Sequence, residues 1–116
     1  MNPFSVYIHI PFCVHRCAYC DFITYADKSH LYDEYVDALQ LEINNLRTSA
    51  EALLDVHTIY FGGGTPSLFA VSFIDSILNT LFRCFTIPSL IEISLEANPG
   101  TLSLSYLRDL LSIGVN

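Results

Sequence analysis

Apolar and polar positions change their period several times along this chain. Over 5–10, "SVYIHI" sets Val6, Ile8 and Ile10 in alternation with Tyr7 and His9, and Pro11 closes the run. A period of two in β-branched and aromatic residues predicts a strand. From 30 to 49 the period becomes helical, with Leu31, Tyr35, Val36, Leu39, Ile43 and Leu46 on one side and Asp33, Glu34, Asp37 and Gln40 on the other. "VHTIYF" (56–61) is a second strand, stopped by Gly62-Gly63-Gly64-Thr65-Pro66. Phe69, Phe73, Ile74, Ile77, Leu78, Leu81 and Phe82 then form a second helical stripe. "IEISLE" (91–96) is a third strand, broken at Asn98-Pro99-Gly100. Thr101 or Ser103 offers a cap for a third helix through Leu104, Leu107, Leu110 and Leu111, and Gly114 suits its end.

Three strand–loop–helix units in succession predict an α/β fold with a parallel sheet and right-handed crossovers. The strand faces carry a second message. His57, Ile59 and Phe61 alternate with Thr58 and Tyr60, and Ile91, Ile93 and Leu95 alternate with Glu92, Ser94 and Glu96, so each strand has one more polar face. A doubly wound sheet buries both faces, whereas a barrel with helices outside can turn a polar face inward around a cavity. The pattern favours part of a barrel. All three unusual loops follow the C-terminal end of a strand, the rim where barrel active sites assemble. A whole barrel commonly takes about 250 residues, and position 116 falls where a fourth strand is due, so residues 1–116 are expected to be the N-terminal portion of a longer domain.

Composition narrows the partners. The chain is 52% hydrophobic and 15% charged, which suits a buried core rather than disorder. Twelve acidic against five basic residues give a net charge of -7, without a Lys/Arg cluster to neutralise phosphates or anionic lipid heads. Nucleic acid and membrane surfaces are therefore not expected partners. The first strand starts too close to Met1 for a signal peptide, and uncharged stretches such as "FGGGTPSLFAVSFI" are interrupted by Gly, Pro, Ser and Thr. The expected setting is the cytoplasm, which keeps thiols reduced.

Three of the four cysteines, Cys13, Cys17 and Cys20, lie in "CVHRCAYC" at a C-x3-C-x2-C spacing. A disulfide would strand one thiol. A structural zinc site would need a fourth ligand, which His9 or His15 could supply, but no second cysteine pair exists. A cysteine-rich loop without a metal is the plain alternative. An iron–sulfur cube usually has four cysteine ligands, so three would leave one iron open to a reactant. Cys84, among Leu81, Phe82 and Phe85, reads as a buried, inert thiol. The glycine loop lacks the Lys-Ser/Thr ending of a phosphate loop and could be a tight turn, or a place where a ligand approaches the backbone.

At these residues the chain resembles the radical S-adenosylmethionine (SAM) enzymes, whose signature is C-x3-C-x-aromatic-C, with Tyr19 as the aromatic. It is similar in particular to the branch of oxygen-independent coproporphyrinogen III oxidases and HemW heme chaperones, through "YIHIPFC", "CAYCDF", "YFGGGTPS" and "LEANPGT" in that order. The resemblance implies a partial (β/α)6 barrel followed by further domains. It also implies a [4Fe-4S] cluster on Cys13, Cys17 and Cys20, whose open iron takes the amino and carboxylate groups of SAM. Electron transfer then cleaves the S–C5′ bond and yields a 5′-deoxyadenosyl radical. Gly63, Gly64 and Thr65 would contact the methionyl part, Glu96 the ribose, and Tyr7 and Tyr19 would lie beside the ligand.

The branch holds two functions. Oxidases decarboxylate coproporphyrinogen propionates, whereas the chaperones bind heme and pass it to acceptor proteins. Oxidases commonly carry a further cysteine two residues after the third ligand, where this chain has Phe22. The expectation is a heme chaperone with a cluster and SAM, with the oxidase as runner-up. Heme or coproporphyrinogen III, an electron donor protein and heme-acceptor proteins are the implied partners.

Overall fold

The computed structural model describes residues 3–13, 25–26 and 29–116. Among the described residues, five strands and three α-helices follow in the order β1 (Phe4–Ile10), β2 (Phe12–Cys13), β3 (Tyr25–Ala26), α1 (Tyr32–Ser49), β4 (Val56–Gly63), α2 (Val71–Cys84), β5 (Glu92–Leu95) and α3 (Leu104–Ser112). Strands β1, β4 and β5 make one sheet in the order β1-β4-β5, every pairing parallel. Parallel neighbours cannot be joined by a hairpin, so α1 and α2 serve as the crossovers.

The expected division of the strands into two faces holds. Ile8, Ile10, Ile59, Phe61 and Ile93 are buried and share a core with Val36 and Ile43 of α1 and Ile74, Ile77, Leu78 and Leu81 of α2. Tyr7, Tyr60 and Glu92, at alternating positions, are exposed on the opposite face. His57 departs from the expected alternation with Thr58. The β1–β4 register shifts between Phe4 and Ser5, which pair with Val56 and Thr58, so Val56 takes the buried place and His57 turns outward. There its Nε2 lies 3.3 Å from Ser5 Oγ.

Two helices bury less of their stripe than their period suggests. In α1 only Val36 and Ile43 are buried and Leu46 is exposed. In α3 only Leu110 is buried, while Leu104, Leu107 and Leu111 are exposed. Of the two cap candidates, Ser103 accepts from Tyr106 N and caps α3, whereas Thr101 ends a short 3-10 turn, Pro99–Thr101. Gly114, at φ 111°, closes the helix. Its N–H bonds Leu111 O at 3.2 Å and Val115 N–H bonds Leu110 O at 3.1 Å, the paired carbonyl capture that a left-handed glycine permits.

Candidate functional site

Three loops leave the C-terminal ends of β1, β4 and β5, and backbone hydrogen bonds tie them together. Gly64 N donates to Ile10 O at 2.8 Å and Thr65 N to Phe12 O at 2.7 Å, fixing the glycine loop to the segment that enters the cysteine loop. Asn98 N donates to Ser67 Oγ at 3.2 Å, and that hydroxyl also meets Thr101 Oγ1, so the turn after the glycines holds the "ANPG" loop.

Glycine is required here by the protein's own packing. A Cβ on Gly63 would meet Ile10 O at 2.7 Å, and its φ of 118° is one that side-chain-bearing residues rarely adopt. A Cβ on Gly64 would run into the Phe12 carbonyl. The glycines thus let β4 and its loop lie directly on the strand leading to Cys13.

That strand is anchored from below by aromatic rings. The Phe12 ring packs on Tyr32 at 4.7 Å, Tyr35 at 5.3 Å and Phe69 at 6.0 Å between centroids. The Tyr35 hydroxyl donates to His9 O. Cys13 follows Phe12, half-buried, in the two-residue parallel pairing of β2 with β3. No pattern along the chain signals this pairing, since two residues carry no period. Cys17, Cys20 and Tyr19, with His15, Arg16 and Phe22, lie outside the described residues. Cys84 is buried as expected, with its thiol 3.3 Å from Asn44 Oδ1.

On the polar face, Glu96 is the centre of a small network. Its Oε1 accepts from Gly63 N at 3.0 Å and its Oε2 from the Tyr60 hydroxyl at 2.7 Å. The Tyr60 ring stacks on Tyr7 at 6.0 Å, and the Tyr7 hydroxyl lies 3.0 Å from His9 Nδ1. The hydrogen bond to Glu96, followed by burial and the Glu96 charge, raises the Tyr60 phenol above its ordinary value, so it remains a donor throughout the neutral range. Burial, then the Glu96 charge, raises Tyr7 as well. The structure therefore brings together Tyr7, Gly63 and Glu96. Gly64, Thr65, Glu96, Ala97 and Asn98 line an adjoining open depression of about 460 Å³. Tyr60 belongs to this set although the resemblance assigns it no role; its signal in the sequence is the strand parity it shares with Thr58.

These groups suit a ligand rich in donors. An ionised carboxylate has about four acceptor sites, and Tyr60 and Gly63 together fill about half of them. The remaining capacity suits hydroxyl or ammonium groups, and Gly63 and Gly64 add no side chain beside it.

A family model described as the radical SAM superfamily matches residues 7–116, and the chain belongs to that superfamily. Membership implies SAM and an iron–sulfur cluster. The heme chaperone HemW of Haemophilus influenzae is 37% identical over 99% of this chain and 31% of its own length. HemW of Bacillus subtilis is 41% identical over 97% of this chain and 30% of its own. Among solved structures, coproporphyrinogen III oxidase (HemN) from Escherichia coli, described as a radical SAM enzyme, superposes with a TM-score of 0.87 at 33% identity, covering 98% of this chain and 26% of that one. The fold is accordingly the N-terminal part of a radical SAM barrel. The chain spans about a third of the length of the curated relatives it matches.

Proposed function

We propose that this chain is the N-terminal portion of the radical SAM core of a heme chaperone. The observation that carries the reading is its likeness to HemW proteins, 35% to 41% identical across at least 97% of the chain. Phe22 supports it, standing where the related oxidases commonly place a further cysteine.

In this reading Cys13, Cys17 and Cys20 hold the [4Fe-4S] cluster, and Tyr7, Tyr19, Gly63, Gly64, Thr65 and Glu96 hold SAM. When bound, the cluster supplies an electron for cleavage of the S–C5′ bond of SAM. The residues of this chain bind and orient. Phe12, wedged among Tyr32, Tyr35 and Phe69, fixes the base of the cysteine loop, and the Gly64 and Thr65 amides hold the glycine loop against it. Glu96 presents a carboxylate already oriented by two donors, so little ordering is needed when a ligand's hydroxyls arrive. Heme, an electron donor, heme-acceptor proteins and a cytoplasmic location belong to the same proposal. Among the described residues no helix is long and apolar enough to cross a membrane.

The oxidase is the second reading, favoured by the likeness to HemN. A phenyl ring at Phe22 offers neither a proton nor a sulfur lone pair. The complete protein, supplied with reductant and SAM under anaerobic conditions, is expected to bind heme tightly and to leave coproporphyrinogen III unchanged. Appearance of protoporphyrinogen IX would overturn the chaperone reading and establish the oxidase.

A further inference from the structure

Glu96 lies one residue beyond the end of β5, a place where a carboxylate ordinarily samples several rotamers in water. Here both of its oxygens are engaged, by Gly63 N at 3.0 Å and the Tyr60 hydroxyl at 2.7 Å. Tyr60 is paired in register with Tyr7 on one neighbouring strand and Ser94 on the other, and its ring reaches along the sheet to Glu96. It passes over Gly62, where an added Cβ would meet Tyr60 Cε1 at 2.8 Å, Tyr7 Cε1 at 2.9 Å and Glu96 Oε1 at 3.0 Å. The backbone has been cleared of a side chain at the point where phenol and carboxylate converge.

We infer that Tyr60 is a positioning residue, which fixes the Glu96 carboxylate so that its remaining lone pairs, about one on each oxygen, form a two-point acceptor for a pair of ligand hydroxyls. This rests on the proposed SAM site, since the hydroxyls in question are those of the ribose. Tyr60 itself does not touch the ligand in this scheme. It acts through Glu96, by removing the rotamers in which the carboxylate would face elsewhere. The stacked Tyr7 ring, 21° from parallel with Tyr60, packs against the phenol.

A double-mutant cycle separates action through Glu96 from an independent effect. In the complete, anaerobically reconstituted protein, Tyr60→Phe is expected to weaken SAM binding about three- to tenfold by calorimetry, less than the loss of a direct hydrogen bond to a charged group because Tyr60 acts through Glu96. Iron content and the thermal midpoint should stay unchanged. Glu96→Gln should weaken binding by roughly ten- to a hundredfold, and Tyr60→Phe added to it should cost less than about a further twofold if the two sites are coupled. Full affinity in Tyr60→Phe, or an equal loss in both backgrounds, would overturn the inference. Wild-type affinity in Glu96→Gln would instead remove the SAM site from Glu96, and the role of Tyr60 with it. Ultraviolet titration of the cluster-free protein gives a ligand-independent readout. The groups facing the Tyr60 phenol are Glu96 and Tyr7. The titration lost in Tyr60→Phe should lie above the ordinary tyrosine range and should move down in Glu96→Gln. A phenol indifferent to Glu96→Gln would count against the pairing.

Discussion

Cys13→Ala, Cys17→Ala and Cys20→Ala are each expected to abolish the iron and the brown colour of the anaerobically reconstituted complete protein, while Cys84→Ala leaves both intact. A cluster held by three thiolates already has one iron without a protein ligand. Removing another leaves two of four corners held, too few to retain it through purification. Cys84 serves as the control because it stands at the other end of the fold. Residues just after it join the start of β4, through Val56 N to Thr86 O at 2.9 Å and Thr86 N to Leu54 O at 3.0 Å, opposite the end that leads into the glycine loop. Iron analysis and visible absorbance check the series. Stoichiometric zinc with no iron would refute the ligand assignment.

Gly64→Ala should have the largest effect on the scaffold. The added methyl would collide with the Phe12 carbonyl, a backbone group with no rotamer to escape into. Either the glycine loop or the Phe12–Cys13 segment must move, and the hydrogen bonds from Gly64 N to Ile10 O and from Thr65 N to Phe12 O stretch with it. Overpacking of this kind costs about 1–3 kcal/mol, occasionally more. A lowered denaturation midpoint is therefore expected together with poorer iron retention, because the displaced strand carries Cys13. Gly100→Ala is the contrast: its Cβ would meet only Asn98 Oδ1, at 3.5 Å, an ordinary contact. That variant should lie within about 1 kcal/mol of wild type. Equal behaviour of the two variants would show that the glycine loop does not bear on Phe12 as described.

Much of this scaffold was legible because the signals are local. Alternation along one strand reports which residues share a face, and it assigns Tyr7, Tyr60 and Glu96 to the polar side without reference to any pairing. What escaped depends on partners distant in the chain. The outward turn of His57 follows from a register shift opposite Phe4 and Ser5, which the sequence of β4 does not encode by itself. The bond between Tyr60 and Glu96 joins residues 36 positions apart and exists only because β4 and β5 are aligned with Tyr60 opposite Ser94. The leucines of α3 show a further limit. Their period marks an apolar stripe, but a stripe does not say which of its members find a partner, and Leu110 is the one that is buried.

In the proposed site Cys13, Cys17 and Cys20 leave one iron of the cluster open to SAM. Electron paramagnetic resonance of the reduced, anaerobically reconstituted complete protein tests it directly, by recording the cluster signal before and after SAM is added. A change of the signal on addition of SAM is the expected result, because a ligand bound at one iron alters the electronic environment of the whole cluster. A signal identical with and without saturating SAM would contradict the claim.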